Sequence, residues 1–133
     1  MKRKTLNLPI GRIEIHENYL IAEIHEGKSV EVSSSEILED IAATYFSNKM
    51  FVYITVRKNS YSVNPSVYKK TSLIENLAGI AVVANTPLAF NNVEIEKLFS
   101  STPFESFTNI ESAVNWAHSL LNQNGKKTNC VNN

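Results

Sequence analysis

Seven consecutive residues, Ala78-Gly79-Ile80-Ala81-Val82-Val83-Ala84, carry no polar side chain. A strand with one wet face alternates apolar and polar residues, so a run that is apolar on both faces has the pattern of a central parallel strand. Parallel neighbours cannot be joined by a tight turn and need a crossover, usually a helix. The chain is therefore expected to alternate strands and helices, and the segments around this run supply them.

From Gly11 to Glu26 the residues alternate around a break at Glu17-Asn18, which predicts an antiparallel hairpin with Asn18 at positive φ in the turn. Ile15 facing Leu20 and Ile13 facing Ala22, with Ile24 further out, make one apolar face. Arg12, Glu14, His16, Tyr19, Glu23 and His25 make the other, a solvated one. A helix is predicted from Ser33, with Ser33 and Glu36 spaced as a capping box, through the stripe Ile37, Leu38, Ile41, Ala42, Tyr45 and Phe46 to about Asn48.

Met50 to Val56 reads as a buried strand. Asn64 as N-cap and Pro65 in the first turn open a helix expected to reach about Leu77. Thr86-Pro87 repeats that signal for a third helix running to about Phe99. Phe104 to Phe107 is a short strand. Thr108 and Glu111 then have capping-box spacing before the stripe Ile110, Ala113, Val114, Ala117, Leu120 and Leu121 of a last helix.

The resulting order is ββαβαβαβα: an α/β fold with a single mixed, mostly parallel sheet, an N-terminal antiparallel hairpin and packed helices. One domain over residues 10–122 suits a chain of 133 residues. Residues 1–9 are expected to form an N-terminal tail. The polar stretch 123–133 is expected to be a disordered C-terminal tail.

Thirteen basic and thirteen acidic side chains leave a formal net charge of zero, so no summed field draws the protein to nucleic acid or to anionic lipid. No apolar run approaches the roughly 18 residues of a membrane span. Met1-Lys2-Arg3-Lys4 is basic, but no apolar stretch follows it as in a signal peptide, and a cytoplasmic location is expected. The single cysteine, Cys130, cannot close an internal disulfide; it can pair between molecules, and a homodimer stays open.

The element order, the helix start Val63-Asn64-Pro65-Ser66-Val67 and the passage Gly79-Ile80-Ala81-Val82-Val83-Ala84-Asn85-Thr86-Pro87-Leu88 together resemble the STAS-like, or anti-sigma-factor antagonist-like, small bacterial domains. The resemblance covers roughly residues 10 to 121 and is closest to a poorly characterised branch found in Bacteroidetes. In typical members this helix opens with Asp-Ser-Ser-Gly, whose serine is phosphorylated by a partner kinase to switch binding. Ser66 occupies the similar position here, while Asn64 stands in place of the acid and Val67 in place of the glycine. The resemblance implies a regulatory module that binds a protein partner, with Ser66 as phosphoacceptor. It also implies an alternative, a carrier or sensor of a small apolar or amphipathic ligand, because some similar domains are related to lipid-transfer proteins. Phe90, Leu98, Phe99 and Phe104 would then wall a pocket between the third helix and the sheet, unless they are plain core.

The residues themselves point to one edge. The polar loop from Arg57 through Asn59, Ser60, Tyr61 and Ser62 to Asn64 leaves the carboxyl end of a parallel strand, where ligand sites of open α/β sheets gather. Asn85 and Thr86 leave the next strand at the same edge. The same residues also read as a solvated connection with capped helices. In the register above, His16 opposes Tyr19 and His25 opposes Ile10, so with Glu14 and Glu23 they cannot share one metal. His118 reads as a boundary residue of the last helix. No serine or cysteine has a base and an orienting group at recognisable spacing, and there is neither a Gly-x-Ser-x-Gly elbow nor a glycine-rich phosphate loop. A binding role without cofactor or metal is expected rather than catalysis.

Overall fold

The computed structural model describes residues 4–57, 62–84, 86 and 93–132. Its strands are β1 (Lys4–Asn7), β2 (Gly11–Ile15), β3 (Tyr19–Ile24), β4 (Ser29–Val30), β5 (Phe51–Val56), β6 (Ser62–Val63), β7 (Leu77–Val83) and β8 (Phe104–Phe107). The helices are α1 (Ser35–Tyr45), α2 (Val67–Thr71), α3 (helical through 93–97) and α4 (Ile110–Asn132), with a 3-10 turn at Val32–Ser34 before α1.

Six strands form one sheet in the order β1-β2-β3-β5-β7-β8. The first two pairings are antiparallel and the other three parallel. Each new parallel strand is added at the same growing edge, so crossovers of one hand place α1, α2 and α3 on one face. Ile13, Ile15, Leu20, Phe51, Ile80 and Val82 meet the helical residues Leu38, Ile41, Val67, Tyr68 and Val93 there. After β8 the chain returns across the opposite face as α4, where Ala113 and Ala117 cover Val52, Ile54, Ala81 and Val83. β7 is buried at all seven positions, as its composition requires.

A bulge in β7 sets how α4 sits. Phe51 pairs with Leu77 but Val52 pairs with Gly79, which leaves Ala78 as an extra residue. Alternation resumes with Ile80 toward α1–α3, and Gly79 lies under α4. A Cβ on Gly79 would lie 2.5 Å from Leu120 Cδ2 and 2.9 Å from Trp116 Cη2, so the bare backbone is what lets these side chains rest on the sheet.

Several expectations are corrected. Residues 4–7, expected in a tail, form edge strand β1, because Leu6 pairs with Ile13 and packs on the core while Leu8 and Gly11 exchange backbone hydrogen bonds of 2.9 and 3.1 Å around Pro9. One apolar residue in Lys-Thr-Leu-Asn was too little alternation to reveal this. The hairpin register is the expected one, Ile15 with Leu20 and Ile13 with Ala22. Among the described residues, however, positive φ on a non-glycine belongs to Asn48 (65°), just beyond α1, and not to Asn18. The first capping box is Glu31 with Ser34 around the 3-10 turn, not Ser33 with Glu36.

α2 stops at Thr71 instead of reaching Leu77, and residues 72–76 return to β7 through turns. The cap of α4 is Asn109 rather than Thr108: its Oδ1 accepts the Ser112 N–H at 2.8 Å. α4 continues to Asn132, through most of the segment expected to be disordered. No helix among the described residues is long and apolar enough to cross a membrane.

Gly11 tests the sheet. A Cβ there would lie 2.3 Å from the Glu23 carbonyl oxygen, a backbone atom that cannot step aside without disturbing the β2–β3 ladder. Gly11→Ala is expected to lower stability by about 1–3 kcal/mol in urea unfolding. Gly79→Ala should cost less, because the atoms it meets belong to side chains that can rotate.

Candidate functional site

The carboxyl ends of β3, β5, β7 and β8 share one edge of the sheet, and the segments that leave them gather there. Arg57 follows β5 directly, and its N–H donates to Val83 O at 2.8 Å. Its side chain does not line the loop as expected but turns inward. Nη1 donates to Glu96 Oε2 at 2.7 Å, and Nη2 donates to Glu96 Oε1 and, at 3.3 Å, to Tyr68 Oη. The Tyr68 hydroxyl donates in turn to Glu96 Oε1 at 2.6 Å.

The guanidinium fork thus grips both oxygens of one carboxylate, the geometry in which arginine binds carboxylates most specifically. Both side chains are withdrawn from water, at 9% exposure for Arg57 and 6% for Glu96. Burial, and then the Glu96 charge, push the Tyr68 phenol well above its ordinary value, with Arg57 opposing them. The phenol therefore keeps its proton at neutral pH and stays a donor. Its ring stands edge-on to Phe104 at 5.1 Å.

The outer part of the edge is built on Asn64. Its N–H donates to Val30 O at 2.8 Å, extending the short parallel ladder between β4 and β6. Asn64 Oδ1 accepts the Ser66 N–H at 3.1 Å, and its Nδ2 donates to Glu31 Oε1 at 3.4 Å. Ser66 is half-buried immediately before α2, and Thr86 is exposed. Ser62 contributes backbone to β6. Asn59, Ser60, Tyr61 and Asn85 lie outside the described residues.

Sequence reasoning missed Tyr68, Glu96 and Glu31. For Glu96 a signal existed: it sits midway between Val93, which is buried, and Phe99, which is half-buried, at the i+3 spacing of an inward stripe, so a charge interrupts a row of core residues. Its partner, 39 residues earlier in the chain, could not be read from spacing.

The histidines are separated as the hairpin register required: the His16 N–H donates to Tyr19 O and the His25 N–H to Ile10 O. His16 nevertheless is not on a solvated face. Its ring stacks on Tyr19 at 4.5 Å, and Tyr19 meets the edge of His118 from α4 at 5.8 Å. His118 is thus part of the seam between α4 and the hairpin.

A crystal structure of similar shape is an uncharacterised protein of the DUF3478 family from Shewanella loihica PV-4, described as having a SpoIIAA-like fold. The two superimpose with a TM-score of 0.54 over 79% of this chain and 90% of that one, at 14% sequence identity. The fold is SpoIIAA-like. At that identity the likeness carries the architecture alone, and it agrees with the STAS-like reading of the sequence. No family model matches the chain, and neither does any curated protein. Within the SpoIIAA-like fold, the Arg57–Glu96–Tyr68 triad belongs to the same edge as Ser66, joining the end of β5, the start of α2 and α3.

Removing Arg57 strands a buried carboxylate. Arg57→Met is expected to cost about 3–5 kcal/mol in chemical denaturation, while Arg57→Met combined with Glu96→Leu recovers most of the loss. The triad also gives an alkaline signature. Because the folded-state value of Tyr68 lies above the unfolded value of about 10, its contribution is complete below about pH 10 and is lost as pH rises through the folded-state value. Thermal midpoints of the wild type should therefore fall more steeply above pH 10 than those of Tyr68→Phe.

Proposed function

We propose that the chain is a small binding and regulatory module rather than an enzyme, that it docks a protein partner at the carboxyl edge of its sheet, and that phosphorylation of Ser66 weakens docking. In this reading the contact surface comprises Asn59, Ser60, Tyr61, Ser62, Asn64, Asn85 and Thr86 around Ser66. Arg57, at the end of β5, is turned inward against Glu96.

The observation that carries the reading is the corner in which Ser66 sits. Asn64 holds the Ser66 N–H with one end of its amide and the Glu31 carboxylate with the other. A phosphoryl group adds roughly −1.5 to −2 charges at pH 7. Two residues from Asn64, whose amide also holds Glu31, that charge works against the Asn64 clasp and the short β4–β6 ladder that Asn64 extends. Lys69 and Lys70, exposed on α2, offset part of the repulsion. A partner that recognises the unmodified corner would meet an altered shape and added negative charge. The STAS-like resemblance of the sequence supports the reading, because typical members carry a phosphoacceptor serine where this helix starts and Ser66 stands at the similar position.

A second reading, the carrier of a small apolar or amphipathic ligand, has one observation in its favour. A cavity of about 60 Å³ lies between α1, α2 and the inner face of the sheet, lined chiefly by Ile13, Ala22, Ile24, Leu38, Ile41 and Tyr68. It is not where the sequence suggested: Leu98 is 83% exposed and walls nothing, Phe104 is packed into the core, and Phe90 lies outside the described residues. The volume exceeds the roughly 10–15 Å³ needed for one water but falls far short of the roughly 300–1,000 Å³ of pockets that enclose drug-sized ligands. A larger hollow of about 690 Å³ beside the end of α1 is open to water and edged by Glu39, Lys49 and Glu75 as well as Ala42 and Ile74, which does not suit an enclosed apolar ligand, so the interaction reading is preferred.

After incubation with host lysate and ATP, mass spectrometry is expected to find phosphate on Ser66; no phosphate anywhere from Ser60 to Ser66 counts against the switch. Against a partner captured by the wild type, Ser66→Asp should bind about tenfold more weakly, equivalent to about 1.4 kcal/mol, and Ser66→Ala should bind as the wild type does. A small molecule retained in native mass spectrometry would favour the carrier instead.

A further inference from the structure

The inner face of β3 carries a small side chain between two large ones: Leu20 and Ile24 fill their places over the sheet, and the methyl of Ala22 does not. The cavity of about 60 Å³ lies there, walled by Ala22, by Ile13 paired with it in β2, by Leu38 and Ile41 of α1 and by Val67 of α2. We infer that this cavity is a socket for a single aliphatic side chain of a protein partner, of the size of valine, leucine or isoleucine. Resting on the docking reading of the carboxyl edge, the socket names what such a partner inserts there.

Protein interiors keep few voids larger than a water molecule, and an empty one forfeits contacts in proportion to its volume. The walls of this one offer water little. Ser34 Oγ accepts the Glu31 N–H at 3.1 Å, and Ser35 Oγ donates to Val32 O at 2.8 Å. Thr71 Oγ1 donates to Tyr68 O at 3.2 Å, and the Tyr68 hydroxyl donates to Glu96 at 2.6 Å. With these polar groups engaged by the chain itself, the rest of the wall is chiefly hydrocarbon. A cavity of that kind stays dry and takes up apolar guests.

Size and position select the guest. An apolar cavity of about 150 Å³ admits benzene, so one of about 60 Å³ admits a branched group of about two to four carbons and no ring. A free molecule with so few atoms cannot bind tightly, because the contribution of each atom is bounded. Carried by a protein, the same group is joined by every contact around it, and a side chain seated in a pocket is a common anchor of interfaces. The rim lies where the docking surface is. Ile10, Val30, Ser34 and Ile37 line the cavity and are half-buried, so it reaches the surface beside them. Val30 O accepts the Asn64 N–H at 2.8 Å, and Val67 directly follows Ser66. A partner that covers the Ser66 corner therefore lies beside the socket.

The test uses the full-length protein alone, with N-acetyl-leucine amide as a leucine side chain free of any partner and xenon as a probe of dry cavities. Methyl resonances of Ile13, Leu38 and Val67 are followed by NMR. The leucine amide is expected to shift them saturably in the roughly millimolar range, and N-acetyl-phenylalanine amide, whose ring is too large, should not. Ala22→Val fills the gap and should weaken the leucine amide about tenfold or more. If that variant does not fold, Val67→Leu fills the socket from the α2 wall instead. Xenon shifts without leucine-amide shifts mean a sealed gap and overturn the inference, as do no shifts with either. An equal response to the phenylalanine amide, or in the filled variant, overturns it too. Isobutanol carries the same branched group without a backbone; tighter binding of isobutanol than of the leucine amide means that the rim rejects a peptide, and rejects the socket with it. No partner and no phosphate enters the measurement, so the socket can fail while the Ser66 switch holds, and an unphosphorylated Ser66 leaves the socket standing.

Discussion

A strand buried on both faces cannot exist alone, and β7 imposes that condition on the whole molecule. Its seven residues offer water nothing to hydrate, so both sides of the sheet must be covered along its length. Burying an Ile- or Val-sized side chain is worth about 1.5–3 kcal/mol, and β7 and its neighbour β5 together place Val52, Ile54, Ile80, Ala81 and Val82 at zero exposure. The division of labour between the faces follows. The crossover helices have to lie on one side because they share a direction of travel, which leaves the other side to the terminal helix. α4 therefore lies against the strands where Gly79 offers it a flat seat.

The same arrangement produces the polar edge. Parallel strands carry all their carboxyl ends on one side, and each is followed by a turn and a helix start with backbone groups to satisfy. Two layers result in this chain. The outer one is an amide relay, with Asn64 reaching both Glu31 and the backbone of Ser66. The inner one is a buried charge pair with a phenol across it. Desolvating an arginine and a carboxylate is expensive, and only their close bidentate geometry with the added hydroxyl offsets the cost. Val93 and Phe99 turn α3 toward the core, and Glu96 between them reaches Arg57 and Tyr68.

The sequence disclosed the elements well where a single face or period decided them. Phe104–Phe107, the register of Ile13 with Ala22 and Ile15 with Leu20, and the burial of the Val82 segment on both faces were all legible, because side-chain patterning encodes burial directly, although that strand lies next to the edge of the sheet and not at its centre. It was less informative where local signals compete. Asn109 rather than Thr108 caps α4, and Glu31 with Ser34 replaces the expected Ser33 and Glu36, since neighbouring polar residues offer equivalent caps and packing selects among them. β1 was invisible because an edge strand with one inward side chain, Leu6, has almost no pattern of its own.

The ordering of local structure is thus written in the chain: apolar runs, alternation and capping residues act over a few positions and determined that this protein would alternate strands and helices around a doubly covered strand. The carboxyl edge was legible as a place, since each strand's direction is implied by its crossovers. Its chemistry was not. Arg57 looks like a loop residue and Glu96 like a surface residue, and only tertiary packing brings them together across 39 positions and turns both away from water. Long-range pairing of charges depends on how helices settle on the sheet, a sum of many weak contacts that no spacing in the sequence records.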